Sequence, residues 1–212
     1  MNKNELKERV LAAIEENKAT IIAAGRKIYS NPEFGYKEFE TTKTVSEFFK
    51  NELGLEVEDK IAYTGCRARI NEDKNGPKVA ILGELDGISC SEHPDANSIG
   101  ASHTCGHNVQ IAGMLGAAVG LIKSGVFKDL DGKIDFIATP AEEFIELAYR
   151  SKLKAEGHIK YFGGKQELIR KGAFDDVDMS IMFHVLDTGD KKVLVGPESN
   201  GFIGKEIKFI GK

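Results

Sequence analysis

The sequence predicts an α/β fold, a mainly parallel sheet with helices on both faces, and three observations carry that expectation. Apolar runs of strand length recur at Lys78 to Leu85, Ile134 to Thr139 and Met179 to Val185. Helix-like stretches fill intervals between them, and the resulting β-α-β order favours parallel strands covered by helices. Each run also delivers polar side chains at its C-terminal end: Glu84 and Asp86 after the first, Glu142 and Glu143 after the second, His184 at the end of the third. In an open parallel sheet such ends lie side by side and line the binding crevice.

The elements follow in order. Leu6, Val10, Ile14 and Ile21 or Ile22 recur at helical spacing behind Asn4 and Glu5, so residues 5–30 read as one long helix closed by Asn31-Pro32. A second helix is expected from Glu40 to Leu53, then two extended segments, Leu55 to Glu58 and Cys66 to Ile70, on either side of a polar turn. After the strand at Lys78 come a loop rich in cysteine and histidine and a small-residue helix from Val109 to Ser124. Gly113, Gly116 and Gly120 fall on one side of that helix, where they would let it lie close against the sheet. Val193 to Val195 and Glu206 to Ile210 look like further strands. With no helix or cap before Lys212, the sequence reads as an interrupted protein.

Composition narrows the function classes. With 212 residues and 41% apolar content the chain can bury one good core. A formal net charge of −4, with lysines spread along the chain, gives no basic footprint, so nucleic acid is not expected as a partner. No stretch approaches the roughly 20 apolar residues of a membrane span, and the N-terminal segment lacks an apolar signal core, so no membrane partner is expected and the cytoplasm is the expected compartment. Cys66, Cys90 and Cys105 are too few and too irregularly spaced for a disulfide scaffold. Cys66 and Cys90 read as packing residues.

The chemistry concentrates in Ser102-His103-Thr104-Cys105-Gly106-His107-Asn108, where Cys105 stands two residues from each of two imidazoles. Sulfur, imidazole and carboxylate on separate elements form a ligand set suited to zinc or a neighbouring first-row metal. Glu142 and Glu143 are adjacent, so in extended chain they point in opposite directions and should divide the work between metal binding and proton transfer. A metal that lowers the pKa of water from 15.7 to about 7 favours hydroxide by roughly 12 kcal/mol, which makes the nucleophile available at neutral pH.

Six segments together resemble a known family: Asn31-Pro32-Glu33-Phe34-Gly35, Gly83-Glu84-Leu85-Asp86, His103 to Asn108, Thr139-Pro140-Ala141-Glu142-Glu143, Gly163-Gly164 and Phe183-His184. In this order they resemble the metal-dependent aminoacylase and carboxypeptidase-like amidohydrolases, in the branch of the N-acyl-amino-acid amidohydrolases and aminobenzoyl-glutamate hydrolase. The resemblance implies a zinc-exopeptidase-like catalytic domain and two divalent metal ions, zinc, manganese or cobalt, held by Cys105, His107, Glu143 and His184. It implies Glu142 as general base and acid, and Asp86 as a residue that orients the site. The implied substrates are N-acyl amino acids, aminobenzoyl-glutamate-like conjugates or dipeptides. Residues 1–198 would form the N-terminal part of the metal-binding domain and 199–212 the start of a lid domain through which such proteins form a homodimer, with the remainder of the lid and a last metal-binding histidine absent.

Some positions depart from the family pattern. Asn108 stands where many members have aspartate, and Glu84 occupies the place of a metal-binding histidine in related peptidases, so Glu84 is given no catalytic duty. His103 is left open between a ligand, a supporting donor and a solvated loop residue. The segment 144–162 reads as an insertion whose Arg150, Lys152, Lys154 and Lys160 would overhang the site and attract an anionic substrate. Two other function classes stay open. One is a non-catalytic metal-binding or interaction fragment; the other is nucleophilic catalysis by Cys105, activated by an imidazole.

Overall fold

A computed structural model of the chain describes residues 2–187, 189–190, 192–195, 207 and 209–211. The long N-terminal helix expected over residues 5–30 is two helices, α1 (Lys3–Glu16) and α2 (Lys18–Tyr29). They part at Asn17, whose side-chain amide donates to the Ala13 carbonyl at 2.8 Å. Ile14 and Ile21 lie seven residues apart, two helical turns, so the apolar spacing hides the break. The helix start is set by Asn2 rather than Asn4. Its side chain accepts the Asn4 and Glu5 amides, and the Glu5 carboxylate returns to the Asn2 amide.

Helix α3 (Phe39–Leu53) begins where the Glu33 carboxylate accepts the Thr41 amide and hydroxyl, both at 2.8 Å, and it stops at Gly54 in the left-handed region, φ 66°. The order then runs β1 (Val57–Ile61), β2 (Gly65–Ile70), β3 (Lys78–Glu84), the short pair β4 (Ile88–Ser89) and β5 (Ala101–Ser102), and α4 (His107–Lys123). One turn of 3-10 helix (Val126–Asp129) leads to β6 (Lys133–Thr139), α5 (Leu147–Ala155), α6 (Gly164–Arg170) and β7 (Met179–Ile181).

The main sheet has the order β1-β2-β6-β3-β7. Strands β6, β3 and β7 are parallel, and they are the three whose ends carry the candidate site. On the far side, β2 pairs antiparallel with β6 and β1 antiparallel with β2. The connection from Ile61 to Gly65 is too short for anything but a hairpin, because parallel neighbours need a crossover of a dozen residues or more.

Alternating residues divide the two faces. Cys66, Ala68, Ile70, Ile134, Phe136 and Ala138 pack with residues of α2, α3 and α4, including Ile28, Phe49 and Met114. Ala80, Leu82 and Ile137 face the other way and pack with Leu168 of α6. Helix α4 meets the sheet at Gly83, where an added Cβ would stand 2.9 Å from Ile111 Cδ1 and 3.2 Å from Ile111 Cα. The glycines of α4 face elsewhere. Gly120 abuts Val10 and Ile14 of α1, Gly116 faces Ile21 of α2, and Gly113 lies under the Phe183 ring, so they admit helices and an aromatic ring rather than the sheet.

A third cluster, Tyr36, Ala141, Leu153 and Ile159, ties α5 to the segment after β6. Val193 to Val195 form no strand, and of the strand expected over Glu206 to Ile210, Ile207, Phe209 and Ile210 lie in no strand while residues 206 and 208 fall outside the described residues, as do residues 199–205. Among the described residues no helix is long and apolar enough to cross a membrane.

Candidate metal centre

Strand β3 ends in Glu84, and the Leu85 amide extends its pairing with β6 by donating to the Thr139 carbonyl at 2.9 Å. Leu85 turns into the core, so Glu84 and Asp86 share the opposite side and are both buried. Helix α4 starts beside them, after Gly106 at φ 90°. Its first residue, His107, lies between the two carboxylates. Nδ1 is 2.7 Å from the Asp86 carbonyl oxygen and 3.3 Å from Asp86 Oδ1, and Nε2 is 3.0 Å from Glu84 Oε2. One turn along the helix, Gln110 donates to Glu84 Oε2 at 2.9 Å and accepts the Glu84 amide at 3.1 Å.

The end of β6 brings in the glutamate pair, and the two side chains go to different neighbours. Glu142 joins Glu84 and His107, with one ligand atom of each within 4.8 Å of the others. Lys165, at the start of α6, pairs with Glu84 Oε1 and stands 3.9 Å from Glu142 Oε1. The Glu143 carboxylate instead lies against the Cys105 thiol. Cys105 Sγ is 3.4 Å from His184 Nε2 beyond the end of β7, and Cys105, His107 and His184 form a second group of ligand atoms within 4.8 Å. His107 belongs to both.

The donor chemistry fits metal ions. Each of His107 and His184 has Nδ1 2.7 Å from a main-chain carbonyl, of Asp86 and Val185 respectively. Carbonyl oxygens only accept, so Nδ1 is the protonated nitrogen and Nε2 faces the cluster, as in metal-binding histidines. His107 Nε2 is moreover buried and makes no hydrogen bond of good geometry among the described residues, despite its approach to Glu84.

Without a metal, the charges settle among themselves. Burial opposes charge on His107, yet Asp86 and then Glu84 outweigh it and push the imidazole up to about 11. Burial also opposes charge on Glu84, but His107 and Lys165 bring it down to about 2. Glu142 is held above the usual carboxylate range by burial and then by Glu84. Burial pushes the Cys105 thiol up to about 11, against a lowering by His107 and with a further rise from Glu143.

The expected site residues Asp86, Cys105, His107, Glu142, Glu143 and His184 thus all converge. His103 does not join them. It is buried, burial and His107 hold it down to about 4, and neither ring nitrogen has a hydrogen-bond partner among the described residues. Glu84, expected to have no duty, sits inside the cluster. Arg150, expected to overhang the site, is fully buried behind it, while Lys152, Lys154 and Lys160 are exposed. Gln110 and Lys165 went unnoticed in the sequence. Gln110 is one turn after His107, and Lys165 directly follows Gly163-Gly164; either spacing would have pointed to them.

No family model matches the chain. It is 33% identical over 187 residues to thermostable carboxypeptidase 2 of Saccharolobus solfataricus, covering 85% of this chain and 43% of that protein. It is 28% identical over 213 residues to an N-acyl-L-amino acid amidohydrolase of Geobacillus stearothermophilus, covering 97% and 52%. Among solved structures, a dinuclear metal binding peptidase of the M20 family from Bacillus subtilis matches with a TM-score of 0.61 at 25% identity, over 78% of this chain and 42% of that one. The chain spans about half the length of the curated relatives it matches.

Proposed function

Since this chain belongs to the metal-dependent aminoacylase and carboxypeptidase-like amidohydrolase family, we propose that it forms the metal-binding part of a hydrolase. Its substrates are N-acyl amino acids, aminobenzoyl-glutamate-like conjugates or dipeptides, cleaved at the amide bond. The observation that carries this reading is the group Cys105, His107 and His184, with Glu143 against the Cys105 thiol and Glu142 beside His107, at the ends of three parallel strands.

Cys105, His107, Glu143 and His184 hold two divalent ions, zinc, manganese or cobalt. When bound, such ions polarise the scissile carbonyl and make water acidic enough to attack at neutral pH. Glu142 takes the proton of the attacking water and passes it to the leaving amine nitrogen; its raised pKa brings it nearer the working pH of a general base. Asp86 keeps the His107 ring oriented through Nδ1. Residues 1–198 supply this centre and 199–212 lead into a lid through which two copies pair.

Metal per chain, measured by elemental mass spectrometry, tests the assignment. The wild-type chain and Glu142→Gln are expected to carry metal, whereas Cys105→Ala, His184→Ala and Glu143→Gln lose it. Retention of metal by Cys105→Ala together with Glu143→Gln would overturn the ligand set. In a turnover assay of the metal-loaded protein on an N-acyl amino acid, Glu142→Gln is expected to be inactive with metal in place. A second reading, a non-catalytic metal-binding protein, would be excluded by hydrolysis of an N-acyl amino acid by the 212-residue chain.

A further inference from the structure

The segment that carries the glutamate pair lies between β6 and α5, outside both, and its main chain is held by groups from four other places. The Ala141 amide donates to Glu38 Oε1 at 2.6 Å, and the Ala141 carbonyl accepts the Gly164 amide at 3.1 Å. The Glu143 amide donates to Asp86 Oδ2 at 2.9 Å, and the Glu143 carbonyl accepts from the Arg150 guanidinium. Ala141 itself stands at φ 49°, a left-handed conformation that strains a residue with a Cβ. The surroundings over-determine it. An added Cβ at Gly35 would stand 2.8 Å from Ala141 Cα, and one at Gly164 would stand 1.7 Å from the Pro140 carbonyl oxygen.

Glu38 and Arg150 are both fully buried, and neither belongs to the donor groups. Glu38 Oε2 accepts the Thr64 hydroxyl at 2.6 Å while Oε1 takes the Ala141 amide. Arg150 bridges two carbonyls, of Glu143 and of Phe162, the latter at 2.6 Å, and its guanidinium lies 5.5 Å from the Tyr36 ring centroid. An apolar side chain at position 38 would fill the space but leave a buried amide unsatisfied. We propose that Glu38 and Arg150 are positioning residues: they hold the left-handed turn at Ala141 and the Glu143 carbonyl, and thereby send the Glu142 side chain towards Glu84 and His107 and the Glu143 side chain towards Cys105. This rests on the roles assigned above to the two glutamates. Burial and then Asp86 raise the Glu38 carboxyl to about 8, and glutamine offers the Ala141 amide the same acceptor oxygen.

Amide hydrogen exchange at Ala141 and Glu143 in the 212-residue chain, read by NMR, tests the proposal, with cobalt affinity as the second measurement. Glu38→Ala is expected to speed exchange at both amides by about tenfold or more relative to β6 amides, and to weaken cobalt binding by a similar factor. Glu38→Gln is expected to stay within about threefold of wild type in both. Thr64→Val, which removes the other partner of Glu38, is expected to lower Tm while Glu143 exchange keeps step with β6. If Glu38→Ala does not fold, Arg150→Lys, too short to span both carbonyls, is expected to speed exchange at Glu143 by a similar factor. Exchange at Glu143 that only follows β6 in the Ala and Lys variants, or Ala and Gln variants that behave alike, would overturn the proposal. Wild-type chain that binds no cobalt would count against the metal assignment, and the exchange comparison would still decide the positioning role.

Discussion

Gly164→Ala probes the contact on which the geometry of the glutamate pair depends. A Cβ at this position would stand 1.7 Å from the Pro140 carbonyl oxygen and 2.6 Å from its carbonyl carbon. An ordinary carbon–oxygen contact is about 3.3 Å, so α6 and the turn must separate by roughly 1.6 Å. The obstacle is main chain and not the far end of a flexible side chain, so no rotamer change relieves it. Overpacking of this kind costs about 1–3 kcal/mol, and loss of the Gly164 amide bond to the Ala141 carbonyl adds about 1 kcal/mol. At roughly 2–4 °C per kcal/mol for a chain of this size, Tm is expected to fall by about 5–15 °C. Two glycines calibrate the result by calorimetry. Gly157 has φ 79° and open space around it, so Gly157→Ala tests backbone strain alone and is expected to cost about 1–2 kcal/mol. Gly116 lies inside α4, where a Cβ would meet Ile21 at an ordinary 3.7 Å, so Gly116→Ala is expected to stabilise by roughly 0.5–1 kcal/mol. A Gly164→Ala protein within about 2 °C of wild type would refute the close approach of α6 to the Pro140 carbonyl.

Other outcomes follow from the charges. Because Glu38 is held up at about 8 against an ordinary 4.5, the folded chain keeps a proton between those pH values that the unfolded chain releases. That stability is fully present below pH 4.5 and is lost as pH rises through about 8. Chemical denaturation of Glu38→Gln against wild type is therefore expected to favour the variant increasingly from pH 5 to 8.5, and a pH-independent difference would contradict the shift. Lys165 lowers the pKa of Glu142, so Lys165→Met in the active enzyme is expected to move the acid limb of the kcat/KM profile to higher pH; an unmoved limb would mean the ammonium does not act on Glu142. Asp86→Asn leaves the His107 ring without its carboxylate, and metal affinity is expected to fall about 10- to 100-fold, measured by competition with a chelator.

Strand β3 and helix α3 were legible because apolar spacing and strong stop signals agree there, as with Gly54 after α3. The break at Asn17 was not, because the spacing of Ile14 and Ile21 survives it. The same limit applies to the glycines of α4. Their common side is readable from spacing, but what packs on that side depends on where α1, α2 and Phe183 arrive in space.

The site divides in a similar way. Cys105, His107, Glu142, Glu143 and His184 announce themselves because thiol, imidazole and paired carboxylate at strand ends have few structural uses together. Glu38 announces nothing, and Arg150 reads as an exposed cation over the site, since glutamate and arginine in charged, amphipathic stretches are ordinarily solvated. Their burial arises because a turn made of Pro140, Ala141 and the two glutamates cannot pair its own amides and carbonyls. A main chain in that position takes its partners from whatever elements pass behind it, and here those are the start of α3 and the interior of α5. The chemistry of a metal centre is thus written locally, whereas the groups that aim it are dictated by unpaired backbone, and accounting for each buried amide and carbonyl behind the site finds them.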